Sequence, residues 1–194
     1  MLTEAAARWM LVLHTALGVA AVGAATHLVL WSRGFLRGEL TRLAAIKRFA
    51  WIVLALQGLA FVAGNAMYPT YKVEVRTAYL ENSEAIALAQ AAHQRQLDRV
   101  TTREAGDPIA PSATGELVKR AASAARWFDV KEHWIALGVL AQLALVLVLA
   151  QLDPRRPEDS RALLPVVFGL TLVVAATLWL GAVIGVLTAA WRAV

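Results

Sequence analysis

Three histidines fall in or beside apolar stretches, where an ionisable side chain is costly and marks a candidate functional site. His14 and His27 lie within WMLVLHTALGVAAVGAATHLVLW, residues 9–31. His133 is the penultimate residue of WFDVKEHW, at the mouth of a later apolar run. A neutral imidazole is a metal and haem-iron ligand, a proton carrier or a hydrogen-bonding group. Depth sorts the three. At ~1.5 Å of rise per residue, His14 lies roughly 7–8 Å inside Trp9, and His133 roughly 9 Å past Trp127. If both helices start from the same membrane face, these two imidazoles stand at matching depth, placed to clamp one haem iron between facing helices of a bundle. His27 is thirteen residues beyond His14, ~20 Å further along the axis and ~220° around it, so it faces elsewhere. It has no histidine at its own depth. That leaves it for a second site, either a ligand shared with a neighbouring subunit or a quinone contact, or else for a backbone hydrogen bond.

Other residues extend the site. Gly18, Ala21 and Ala25 continue the His14 face as a smooth groove for a flat macrocycle, and Gly138 follows His133 by a turn and a half. Small residues serve bare helix packing equally well. Lys131, Arg76 and Arg126 are candidate partners for haem propionates, and Glu132 is a candidate proton shuttle. The plainer reading makes Asp129, Lys131 and Glu132 a solvated helix mouth with local pairing. Zinc at His133 needs a third ligand such as Asp129 or Glu132, and nothing in the spacing requires it. Gln57 and Gln142 fall near mid-membrane, where amides bond across helices or meet a quinone. Asn65 is a candidate to orient a histidine. His93, beside Gln94 and Gln96 in an amphipathic stretch, reads as a surface residue.

Four spans must position these groups, at about 9–31, 50–68, 132–152 and 163–190. Each approaches the ~20 apolar residues that cross a bilayer. The chain has 194 residues, is 59% hydrophobic and carries a net charge of +5. The excess over the ~45–50% apolar content of soluble domains is gathered into those four blocks. Cysteine is absent, which excludes disulfides, thiolate-held clusters and covalent haem attachment. The first span reads as a true span, since its preceding segment lacks a basic n-region and its apolar run exceeds a ~7–15 residue signal core.

Loop charge sets orientation. The 1–2 connection holds Arg33, Arg37, Arg42, Lys47 and Arg48 against Glu39 alone, and the 3–4 connection adds Arg155, Arg156 and Arg161. Short basic loops stay cytoplasmic. Both termini and the 69–127 connection are then extracytoplasmic, in a bacterial-type inner membrane. Trp9, Tyr68, Tyr71, Trp127 and Trp191 fit one interface, Trp31 and Trp51 the other. Within 69–127, Asn82 and Ser83 precede an amphipathic helix, the residues from Gly106 to Gly115 break it, and a further helix leads toward span three. YKVEVRTAYL reads either as a strand or as an extension of span two, which otherwise ends at Pro69. The fold class is therefore all-α, a four-helix transmembrane bundle with a helical extracytoplasmic insertion between helices two and three.

LHTALGVAAVGAATHLVLW together with WFDVKEHW resembles, at the level of class, the small four-helix b-type membrane cytochromes. In those, one helix carries histidines thirteen or fourteen residues apart for haems at two depths. The resemblance implies haem b and electron transfer between a quinone or membrane partner and a periplasmic redox protein, within a larger respiratory or redox complex. The chain departs from that pattern at His27, which lacks a partner, so one haem is the most it ligates alone. The alternative is a cofactor-free accessory or scaffold subunit, docking through the Gly181/Gly185 step and the 69–127 insertion. A transporter is disfavoured, since no inverted repeat is found. Hydrolase, kinase and nucleotide-binding constellations are lacking, as is any basic patch of the nucleic-acid kind.

Overall fold

A computed structural model of the protein describes residues 3–104, 114–153, 155 and 157–190. Among them every regular element is helical. α1 spans Glu4–Ser32 and runs into a short 3-10 turn, Arg33–Arg37. α2 spans Leu43–Thr70, and a π-helical segment, Tyr71–Leu80, continues it. α3 is Ser83–Glu104, α4 Thr114–Gln151, α5 Pro157–Arg161 and α6 Leu164–Ala190. The apolar stretches Ala5–Arg37, Leu43–Ala78, Ser123–Gln151 and Leu164–Thr188 are each long and apolar enough to cross a membrane. Trp191, positions 106–113 of the break expected from Gly106 to Gly115, and the His93 side chain lie outside what the structure describes, and α4 already includes Gly115.

Local chemistry explains most boundaries. Thr3 caps α1 by accepting from the Ala6 amide at 3.3 Å. Gly38, at φ 74°, takes the left-handed position that closes the 3-10 turn, where a side chain would be strained. Asn82 Oδ1 accepts from the Glu84 and Ala85 amides, both at 3.1 Å, and starts α3. Pro69 does not end the second span. The helix passes through it and beyond Thr70 widens into π-helical turns. Proline removes one backbone donor and crowds the preceding turn, and a widened ladder is one way a helix absorbs such a defect. YKVEVRTAYL is therefore a helical extension and not a strand.

The four long helices form a ring in which α1 packs on α2 and α6, and α4 packs on the same two. α1 and α4 thus stand on a diagonal. The apolar core lies toward the end bearing the Arg33–Arg48 loop, with Ala25 and Leu28 of α1, Ile46 and Val53 of α2, Leu145 and Leu149 of α4, and Val167 and Val174 of α6. Polar ties join the helices there. Ser32 Oγ and Thr171 Oγ1 are 3.1 Å apart, Trp179 Nε1 donates to Thr26 Oγ1 at 3.0 Å, and Lys47 Nζ donates to Leu152 O at 2.7 Å. The last of these satisfies a carbonyl that the α4 C-terminus leaves open.

Packing thins toward the other end, which holds His14. No described side chain of α1 before Ala21 is buried. Contact there is made by small residues, Ala60 and Ala63 of α2 and Gly181 of α6, together with Ile184. Beyond it, Leu80, Ile86, Ala121 and Ala125 form a second small core that seats α3 on α4 and the π segment.

Candidate functional site

His14 faces α2. Its Nδ1 lies 2.8 Å from the Ala60 carbonyl oxygen. A carbonyl only accepts, so Nδ1 carries the proton and donates, and the lone pair is left on Nε2. Ligating histidines are commonly oriented in this way, with one nitrogen tied to a carbonyl and the other free for a metal. Gly64 makes the fit possible, since a side-chain carbon there would stand 3.2 Å from His14 Cε1. One turn along, Gly18 opens the opposite condition, for an added carbon would meet nothing within 4 Å. The groove expected along Gly18, Ala21 and Ala25 is therefore open only at Gly18, since Ala21 and Ala25 are buried in the apolar core.

Lys131 belongs to the same end of the bundle. A side-chain carbon on Gly185 of α6 would lie 3.1 Å from Lys131 Nζ, and the ammonium stands 5.5 Å from the centre of the Phe128 ring. Glu132, the next residue, is the carboxylate whose charge acts on it, although among the described residues no carboxylate lies within ion-pair distance.

His133 is positioned differently. It is exposed, and its Nδ1 lies 2.8 Å from Asp129 O of its own helix. That bond again leaves Nε2 with the lone pair. However, His133 is five residues from the buried Gly138, about 140° around the helix, on the stripe of exposed Val130 and Leu137. With α1 and α4 diagonal, the structure does not bring the two imidazoles together. Rise per residue speaks to depth alone, whereas 100° steps from Gly138 and Gln142 carry His133 to the far side of α4.

Gly138 serves packing. A carbon added there would stand 2.5 Å from Thr177 Oγ1 and 3.0 Å from Gln57 Nε2, so neighbouring side chains fill the space expected for a macrocycle. Arg76 is committed elsewhere as well. It donates to Glu81 at 2.7 Å and to Asp129 at 2.6 Å, tying the π segment to the turn before α3 and to α4. Tyr71 stacks on Phe128 beside it, ring centres 4.0 Å apart. Removing the guanidinium by Arg76→Ala leaves two carboxylates facing one another. It is expected to cost about 1–2 kcal/mol after allowance for solvent screening. The check is hydrogen exchange, which should quicken across 71–80 while the apolar core of the bundle stays protected. Arg126 is exposed.

His27 is exposed and packs in an aromatic group, 4.5 Å from the Trp31 ring centre and 5.4 Å from that of Phe49. Asn65 donates to Phe61 O of its own helix at 2.9 Å and so does not orient a histidine. The Gly181/Gly185 step is used within the bundle, where Ile135 and Lys131 of α4 fill it. It therefore offers no free docking face. Gln142 Nε2 donates to Ala50 O at 2.6 Å, while the Gln57 amide has no partner although Gln57 is only 1% exposed. Among the described residues no three His, Asp or Glu side chains gather to hold a metal ion by themselves. No protein-family model, curated protein or solved structure matches the chain.

Proposed function

We propose that the protein is an integral membrane electron-transfer subunit carrying haem b near the extracytoplasmic face, with His14 as the ligand supplied from inside the bundle. The observation that carries this is the His14 imidazole itself. It lies within a span, Ala60 fixes its tautomer, and Nε2 is left as its lone-pair nitrogen. The fit of the surrounding residues is partial. His14 suits an axial ligand, Lys131 suits a propionate, and Gly18 leaves room beside the ligand. Gly138 and Arg76 are engaged with other groups, and His133 faces outward, so the reading rests on one histidine and not on a clamp.

Bound haem supplies a one-electron couple whose potential responds to its ligand, to hydrogen bonding and to burial. The chain's own part is to hold and tune. The Ala60 carbonyl, by accepting the Nδ1 proton, raises the basicity of Nε2. The Lys131 ammonium offsets negative charge beside it. Thin protein packing around the first turns of α1 leaves the site open to a partner. That partner is a quinone or another membrane subunit on one side, and a periplasmic redox protein on the other. The multi-pass orientation with both termini extracytoplasmic follows from the basic loops and belongs to the same proposal.

The test is retention. Protein purified in mild detergent from cells with ample haem should keep a near-stoichiometric amount, measured as the pyridine haemochrome. Protein that emerges colourless under those conditions, with its helical content intact, overturns the proposal.

A further inference from the structure

Two amides sit in the middle of the bundle, and their hydrogen bonds do not close. Gln57 is 1% exposed, and both its Nε2 and its Oε1 lack a partner. Gln142 is fully buried, and its Oε1 also lacks one, although its Nε2 is used on Ala50 O. Thr177 spends its hydroxyl proton on Val174 O at 2.9 Å, so it can only accept from others. Gln57 Nε2 and Thr177 Oγ1 both stand against Gly138, and Gln142 is one turn further along α4.

Both kinds of group go unmet. Gln57 Nε2 has hydrogens and no acceptor, two amide oxygens on two helices have no donor placed to reach them, and the backbone amides around them are bound within their own helices. A direct bond from Gln57 Nε2 to Thr177 Oγ1 would satisfy the nitrogen and leave both oxygens as they are. An unmet polar group in an apolar interior is costly. Water brings two donors and two acceptors and commonly makes about three bonds in such places. A metal cation would suit the oxygens but would sit near mid-membrane with no carboxylate beside it, which is costly.

We propose that Gln57, Gln142 and Thr177 hold buried water at the middle of the bundle. The site is bounded on one side by the apolar core at Val53, Leu145, Leu149 and Val174. Each of the three side chains comes from a helix of the ring, so the water ties α2, α4 and α6 together. This inference stands whether or not haem is bound.

Radiolytic labelling in H2(18)O tests it, because hydroxyl radicals formed from bound water mark side chains beside it even where bulk solvent is excluded. In the full-length protein, Thr177 and Gln142, the side chains that would touch the water, are expected to take up label while Leu145 and Leu149 do not, although leucine is the more reactive residue. Gln57→Leu should abolish the labelling at Thr177 and Gln142. The comparison among these four residues in the unaltered protein decides the matter even if that variant does not fold. Silence at Thr177 and Gln142 equal to that at Leu145 overturns the proposal, as does labelling that persists in a folded Gln57→Leu protein. A melting temperature that shifts when sodium is exchanged for choline also overturns it, since that assigns the site to a cation.

Discussion

Gly138→Ala is expected to destabilise the purified protein by about 1–3 kcal/mol, the range for forcing extra volume into a packed core, read as a lowered melting temperature in detergent. The added carbon would stand 2.5 Å from Thr177 Oγ1, 3.1 Å from Thr177 Cβ and 3.0 Å from Gln57 Nε2. Gln57 has a long side chain and can withdraw. Thr177 cannot do so cheaply, because it is β-branched with few χ1 choices and its hydroxyl is bonded to Val174 O. The helices must then separate where α4 meets α6. Gly181→Ala supplies the contrast. Its carbon would stand 2.5 Å from Ile135 Cδ1, the far end of a flexible chain, so a rotamer change relieves most of the overlap. The two substitutions add the same atom, and the account ranks Gly138 clearly above Gly181 in cost. Equal costs would mean that Thr177 is not held as described.

His14→Ala is expected to abolish haem binding while leaving the bundle folded. The two effects separate because they differ so much in size. The interhelical bond from Nδ1 to Ala60 O is of a kind worth about 0.6–1.7 kcal/mol in membrane proteins, so its loss lowers the melting temperature only modestly. Loss of the imidazole would remove the one nitrogen proposed to hold the iron. His14→Gln isolates the second effect, since an amide can still donate toward Ala60 O while offering no imidazole. Both variants should keep their helical content by circular dichroism and both should lose the haem. His133→Ala should keep it, because His133 is exposed and bonded only to Asp129 of its own helix. Loss of haem in His133→Ala, with retention in His14→Ala, would transfer the site to α4.

Much of the architecture was legible in the sequence, because apolar length is a strong signal. The spans read as 9–31, 50–68, 132–152 and 163–190 correspond to α1, α2, the later part of α4, and α6. The cap at Asn82 was legible for the same kind of reason, since a short polar side chain before an amphipathic run has few other uses. Pro69 misled, because proline ends helices in general but is absorbed where the chain can widen its turns, as it does over Tyr71–Leu80. The candidate site was legible by depth alone. Rise per residue placed His14 and His133 level, but ring order and rotation decide which side chains meet. Ring order comes from packing between helices distant in the chain, and nothing local encodes it. Gly138 and the Gly181/Gly185 step show the same limit. A glycine announces a close approach without naming what approaches, and here it is Thr177, Gln57, Ile135 and Lys131.

The most direct measurement is the reduced-minus-oxidised absorption spectrum of protein purified from haem-replete cells, taken beside His14→Ala and His133→Ala. The account predicts a b-type α band in the unaltered protein, its loss in His14→Ala and its retention in His133→Ala. Absence of the band from the unaltered protein, or its survival in His14→Ala, would contradict the account.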